Sequence, residues 1–141
     1  MITLNEASKI VDFALSHGRQ QNCHPLSVSV LDAGGVLVAF KREDDSSLLR
    51  PDISQAKAWG ALGMGVNSRD LTERANSHPH FFTALSSISG GRIVPVAGGV
   101  LIRSNTNKII GAVGISGDLP HNDEECAIKG IEAAGLACNI S

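Results

Sequence analysis

Apolar residues at Ala7, Ile10, Val11, Ala14 and Leu15 recur at helical spacing, which predicts a helix from Leu4 to about Gln20 with one apolar stripe. Thr3-Leu4-Asn5-Glu6 marks its start, a hydroxyl at the cap and a carboxylate three residues on, the form of a capping box. The period then changes. Leu26-Ser27-Val28-Ser29-Val30 alternates as a strand with one buried and one more polar face. Asp32-Ala33-Gly34-Gly35 is a turn, and Val36 to Phe40 is the return strand of a hairpin. Lys41 to Ser47 reads as a charged, solvated exit loop.

Helical spacing returns from Ile53 to Met64, with a face of small residues (Ala56, Ala58, Gly60, Ala61, Gly63) that would press closely on a sheet, and Gly65 as the C-cap. Trp59 on this segment is expected in the core or at a subunit contact, with stacking on a ligand as the alternative. Ser68-Arg69-Asp70-Leu71 predicts a short helix capped by Ser68. Pro79 to about Ser87 predicts another, with Phe81, Phe82, Leu85 and Ile88 as apolar anchors.

A second hairpin follows: Val96 to Ile102 and Lys108 to Gly117 flank the turn formers Ser104-Asn105-Thr106-Asn107. Glycines inside strands, here Gly98, Gly99, Gly111 and Gly114, point to the close approach of a backbone, a helix or a ligand. The pattern therefore places any pocket beside this hairpin. Ser116-Gly117 leads into a final helix marked by Ala127, Gly130, Ile131, Ala134 and Cys138. Asp123, Glu124 and Glu125 in its first turn complement the helix dipole. Free backbone N–H groups at such a helix start can receive an anionic or carbonyl group. The order helix, hairpin, helices, hairpin, helix gives an α+β sandwich, with antiparallel strands and helices packed on one face.

Composition narrows the function. A chain of 141 residues suits one domain over residues 1–141. A net charge of −2 and the absence of a basic stripe exclude a nucleic-acid partner. No apolar run approaches the roughly 20 residues of a transmembrane helix, so no membrane role is expected. The first residues lack a basic region and an apolar signal core, which predicts a cytoplasmic protein. Cys23, Cys126 and Cys138 have no C-x-x-C spacing and read as small buried residues, not as a disulfide or zinc scaffold. There is no G-x-S-x-G elbow, P-loop or dinucleotide fingerprint, and tyrosine is absent.

The segments Val28 to Gly35, Phe40 to Asp44, Lys57-Ala58, Gly98-Gly99-Val100 and Gly111 to Gly117, followed by Asp123, resemble in order the GlcG/HbpS family, which also includes the C-terminal domain of PduO-type proteins. The resemblance implies a profilin-like fold: an antiparallel sheet of two hairpins plus an edge strand, with helices packed around it. It also implies a homo-oligomer, a dimer or higher. Some members bind haem, and others are linked to cobalamin or to small-molecule catabolism. The chain departs from the family pattern at Leu101, at Trp59-Gly60 and at His121.

Candidate residues fall into three groups. Asp123, Lys57 and His121 are candidates for proton transfer, Asp123 and Lys57 because they match recurrent family positions. The bland reading of that pair is a structural ion pair. Arg42 at a strand exit could clamp a carboxylate or propionate, and Gly98, Gly99, Ser116 and Gly117 would line a ligand pocket. His78 and His80, which would share a face if extended, stand beside the apolar Phe81-Phe82 and could ligate haem or a metal; His17 and His24 are further axial candidates. Three readings follow: an oligomeric binder of a small molecule or haem, a cofactor-free isomerase, hydratase or lyase, and an accessory or sensor subunit acting through its interface. The spacing specifies no metal site.

Overall fold

The computed structural model describes residues 1–139; residues 140 and 141, the end of the expected single unit, lie outside the described residues. Helix α1 spans Leu4–Gln20, with the capping box in place: Thr3 Oγ1 accepts from the Glu6 amide and the Glu6 carboxylate from the Thr3 amide. Strands β1 (Ser27–Asp32) and β2 (Leu37–Arg42) form the first hairpin. Its turn is held by Asp32 Oδ1, which accepts from the amides of Gly34 (2.9 Å) and Val36 (3.0 Å). Helices α2 (Arg50–Met64), α3 (Ser68–Ser77) and α4 (Pro79–Ile88) follow. Strands β3 (Gly99–Arg103) and β4 (Ile109–Ser116) form the second hairpin, and α5 (Pro120–Ala133) ends the order.

The sheet runs β2-β1-β4-β3 with every pairing antiparallel, which makes an α+β fold. The helices lie on both of its faces, not on one. On one face Val28, Val30, Val100, Ile102, Val113 and Ile115 pack with α1 and α5 through Ile10, Val11, Ala14, Ala127 and Ile131. On the other, Leu31, Leu101 and Ala112 meet Ala58 and Ala61 of α2. The face of β1 expected to be polar is therefore buried as well. Its serines are satisfied by partners, Ser27 Oγ by Ser46 Oγ at 2.9 Å and Ser29 Oγ by Ser54 Oγ at 2.7 Å.

The second hairpin's glycines admit α2. Gly99 is paired with Gly114, and Gly114 with Ser29, in one row across three strands. A Cβ on Gly99 would run into the Lys57 carbonyl, and one on Gly114 into the Ser54 carbonyl. Only hydrogen at these positions lets the α2 backbone lie so close.

The outer edge of β3 is closed without a full further strand. Ser68 Oγ accepts from the Gly99 amide at 2.7 Å, Asn67 Oδ1 from the Leu101 amide at 2.8 Å, and the Ala137 carbonyl from the Arg103 amide at 2.8 Å in an isolated bridge. Exposed edge amides invite pairing with other chains, and these groups remove that liability. Ser68 is thus occupied by the sheet; Asn67 takes the N-cap position of α3 and makes no side-chain capping bond. Two other expectations change. The helix carrying Asp123 ends at Ala133, since Gly135 turns left-handed at φ +80°, so Cys138 lies beyond it. And α4 has no buried residue: Phe81 is 53% and Ile88 80% exposed, so its apolar residues do not anchor it in the core.

Candidate functional site

Lys57 and Asp123, 66 positions apart, are brought together. Lys57 sits on the sheet-facing side of α2, and Asp123 in the first turn of α5, which reaches the same point from the opposite face of the sheet. Lys57 Nζ donates to Asp123 Oδ2 at 3.2 Å and to the Ile115 carbonyl at 2.9 Å. Asp123 Oδ1 accepts from the Asp118 amide at 3.0 Å. The two side chains are 3% and 1% exposed. Burial pushes the Asp123 carboxyl above the usual carboxylate range and the Lys57 ammonium below its usual range. Each charge opposes the shift of the other, as expected for an ion pair in a poorly solvated place.

The other residues around this pair are structural in their contacts. Gly98, at φ +128°, leaves room for the Lys57 side chain; a Cβ there would lie 2.9 Å from Nζ. Ser116 is buried, and its Oγ accepts from Arg50 Nη1 at 3.0 Å. A Cβ on Gly117 would meet the Pro25 carbonyl. The space that the glycines open is therefore taken by protein, by the α2 backbone and the Lys57 side chain, rather than by a cleft. His121 is exposed on the first turn of α5, away from the sealed pair. Arg42 is exposed at the end of β2, where it borders a shallow cleft of about 400 Å³ with Arg19, Pro25, Glu43 and Asp44.

The histidines are scattered. His17 is half-buried, with Nε2 3.5 Å from Glu125 Oε2 and without a hydrogen-bond partner. His24 is exposed, and its amide donates to Asp118 Oδ1 at 2.9 Å. His78 stands at the corner between α3 and α4, and His80 in the first turn of α4, both exposed. Because His80 is helical, the two imidazoles do not share the face that an extended chain would give them. A cleft of about 560 Å³ opens at this corner, lined by Arg69, Asp70, Glu73, Arg74, Ser77 and His78. Phe81 and Phe82 follow directly, packed edge to face with centroids 6.0 Å apart. Arg69 also reaches Glu124, with Nη1 3.5 Å from Oε1, while burial raises the Glu124 carboxyl.

Sequence reasoning missed Asn67 and Arg50 and gave Ser68 another role, that of a helix cap; all three side chains reach strands far along the chain. The one readable sign was the pair of short polar residues Asn67-Ser68, two positions beyond the Gly65 helix stop. Among the described residues, no group of three or more His, Cys, Asp and Glu side chains is placed to hold a metal ion. Among the described residues, too, no helix is long and apolar enough to cross a membrane.

Comparison with known proteins bears on the family and the fold. A family described as haem degrading protein HbpS-like matches residues 2–132. An uncharacterized 15.0 kDa protein from the dhaT-dhaS intergenic region of Citrobacter freundii is 31% identical over 122 residues, covering 86% of this chain and 84% of that protein. Protein GlcG of Escherichia coli (strain K12) is 37% identical over 100 residues, 69% of this chain and 68% of that one. The crystal structure of a PduOC:heme complex superposes with a TM-score of 0.86 at 24% identity, over 99% of both chains. On the match over nearly its whole length, the chain belongs to the HbpS-like family.

Proposed function

We propose that this protein is an oligomeric small-molecule-binding protein whose ligand is haem or a related tetrapyrrole, held at the α3–α4 corner. The observation that carries this reading is α4 itself: an apolar helix, opened by His78-Pro79-His80, that buries none of its residues in its own chain. A porphyrin needs apolar contact on its faces, a ligand for iron and cations for its propionates. Phe81, Phe82 and Leu85 offer the first, the His78 or His80 imidazole the second, and Arg69 and Arg74 the third. Haem supplies the iron chemistry when bound; the chain's own part is to hold it and set its iron ligand. The family description and the haem complex of PduOC support the choice of ligand. The same uncovered apolar helix supports a second subunit as its further neighbour. The three free cysteines suit a reducing, cytoplasmic setting.

In this reading Lys57 and Asp123 hold α2, β4 and α5 together. A proton-transfer role for Asp123, Lys57 and His121 has less support, since the pair is sealed and His121 stands apart in solvent. Gly98, Gly99, Ser116 and Gly117 likewise shape the sheet end rather than the ligand surface, and Arg42 stands exposed at the end of β2.

Hemin titration tests the proposal. A shifted, saturable Soret band at micromolar protein is expected, and its absence overturns haem binding. Single alanine substitutions of His17, His24, His78, His80 and His121 then locate the iron ligand. Loss or shift of the band in His78→Ala or His80→Ala supports the α3–α4 corner. A change confined to one of the other three moves the site elsewhere.

A further inference from the structure

Trp59, the sole tryptophan, is held on α2 between two groups. On one side lies Gly35, where a Cβ would stand 2.9 Å from the indole Nε1. On the other lies Arg92, with its guanidinium carbon 3.9 Å from the centre of the ring. Arg92 is carried there by the turn after α4, in which Gly90 (φ +66°) and Gly91 (φ +81°) both take the left-handed conformation. The turn is fixed by the Gly91 amide on the Ser86 carbonyl at 2.7 Å. Arg92 Nε donates to the Ser89 carbonyl, also at 2.7 Å. The guanidinium is thus stacked on one face and tethered at Nε, while its two Nη groups carry four further N–H donors. Among the described residues no carboxylate lies within 4.0 Å of it.

These groups border a cleft of about 280 Å³, close to the lower end of the roughly 300–1,000 Å³ range of ligand pockets. Leu31, Ala56 and Trp59 make its apolar part; Asp52, Gln55 and Arg92 make its polar part. We infer that this cleft, formed by α2 and the turn after α4, is a binding site for a small monocarboxylate. The carboxylate takes the Nη fork of Arg92, and the body of the ligand lies against Leu31, Ala56 and the indole. A planar carboxylate matches the two parallel donors of an arginine fork. The side chain is already immobilised by stacking and by Ser89, so little further ordering opposes binding. Asp52 and Arg92 together bring no net charge to the cleft, which favours a monoanion over a phosphate dianion. Gln55 and Asp52 stand ready for a hydrogen-bond donor on the ligand. The site is separate from the α3–α4 corner and does not depend on haem.

Because Trp59 is the sole tryptophan, all tryptophan emission comes from the wall of this cleft. Haem-free protein is titrated with acetate and benzoate, and with acetamide and benzamide as neutral isosteres, with calorimetry as a second measure. At least one carboxylate is expected to give a saturable change, and its amide to bind at least tenfold more weakly. Arg92→Ala is expected to weaken the carboxylate at least tenfold while thermal unfolding stays cooperative, and Arg92→Lys not to restore it, because an ammonium lacks the fork. The site is overturned if neither carboxylate binds, if the amides bind equally, if Arg92→Ala or Arg92→Lys keeps full affinity, or if inorganic phosphate binds as well.

Discussion

Lys57 Nζ and Asp123 Oδ2, 3.2 Å apart and nearly closed off from water, join helices that pack on opposite faces of the sheet. Such a pair is costly to desolvate, and far costlier to leave half made, because the remaining charge then has no partner. Lys57→Met is therefore expected to lower unfolding free energy by about 3–5 kcal/mol, whereas Lys57→Met combined with Asp123→Leu should recover much of that loss. Urea unfolding of the two variants at neutral pH measures the difference. Equal destabilisation of single and double variants would count against the pair as the source.

The close approach of α2 to the sheet gives a sharper contrast. In Gly114→Ala the new methyl meets the Ser54 backbone carbonyl, which cannot move without shifting the helix, so a loss at or beyond the usual overpacking cost of about 1–3 kcal/mol is expected. In Gly63→Ala, an exposed position of the same helix, the nearest atom to the new carbon is Trp59 Cζ3 at 3.8 Å. That change should stabilise by about 0.5–1 kcal/mol through helix propensity. Thermal melts of the two variants should move in opposite directions.

Asp118 adds an acid-labile contribution to stability. Its carboxylate accepts from the His24 amide at 2.9 Å and from Asn122 Nδ2 at 2.6 Å. The His24 bond chiefly holds its pKa below the usual value of 3.8. A carboxyl lowered on folding binds fewer protons in the native state, so its contribution is complete above the unfolded value and fades as pH falls through the folded one. Asp118→Asn should therefore be less stable than the wild type near pH 6, with the gap narrowing below about pH 3.8. Denaturation midpoints across that range check the slope.

Thiol reactivity should follow burial. Burial pushes the Cys126 thiol up to about 12, and Cys23, buried beside it, is also raised. Both should remain as unreactive thiols in the native protein. Cys138, half-buried beyond the end of α5, should react first with a disulfide reagent. The other two should appear only when denaturant is added, which a time course of thiolate release would show.

The local pattern of residues was enough for what neighbours in sequence decide. Thr3 and Glu6 cap α1 because three residues of helix bring their groups together, and Gly65 ends α2 because its own φ of 71° costs glycine little. The two hairpins were legible for the same reason, since alternation and turn formers act within a few residues. The strand glycines announced a close neighbour, but not whether it would be helix or ligand. That answer depended on where α2 came to rest, with Ser54 and Lys57 on the glycine row. Tertiary structure alone buried Ser27 and Ser29, took Ser68 from helix capping to the β3 edge, and left Phe81 and Ile88 in solvent. It also set Arg92 on Trp59, and closed Lys57 onto Asp123 across 66 positions. Periodicity shows which face of a segment is apolar. Which other segment covers that face, and which polar groups meet beneath it, is decided by contacts between residues far apart in the chain, which no local pattern carries.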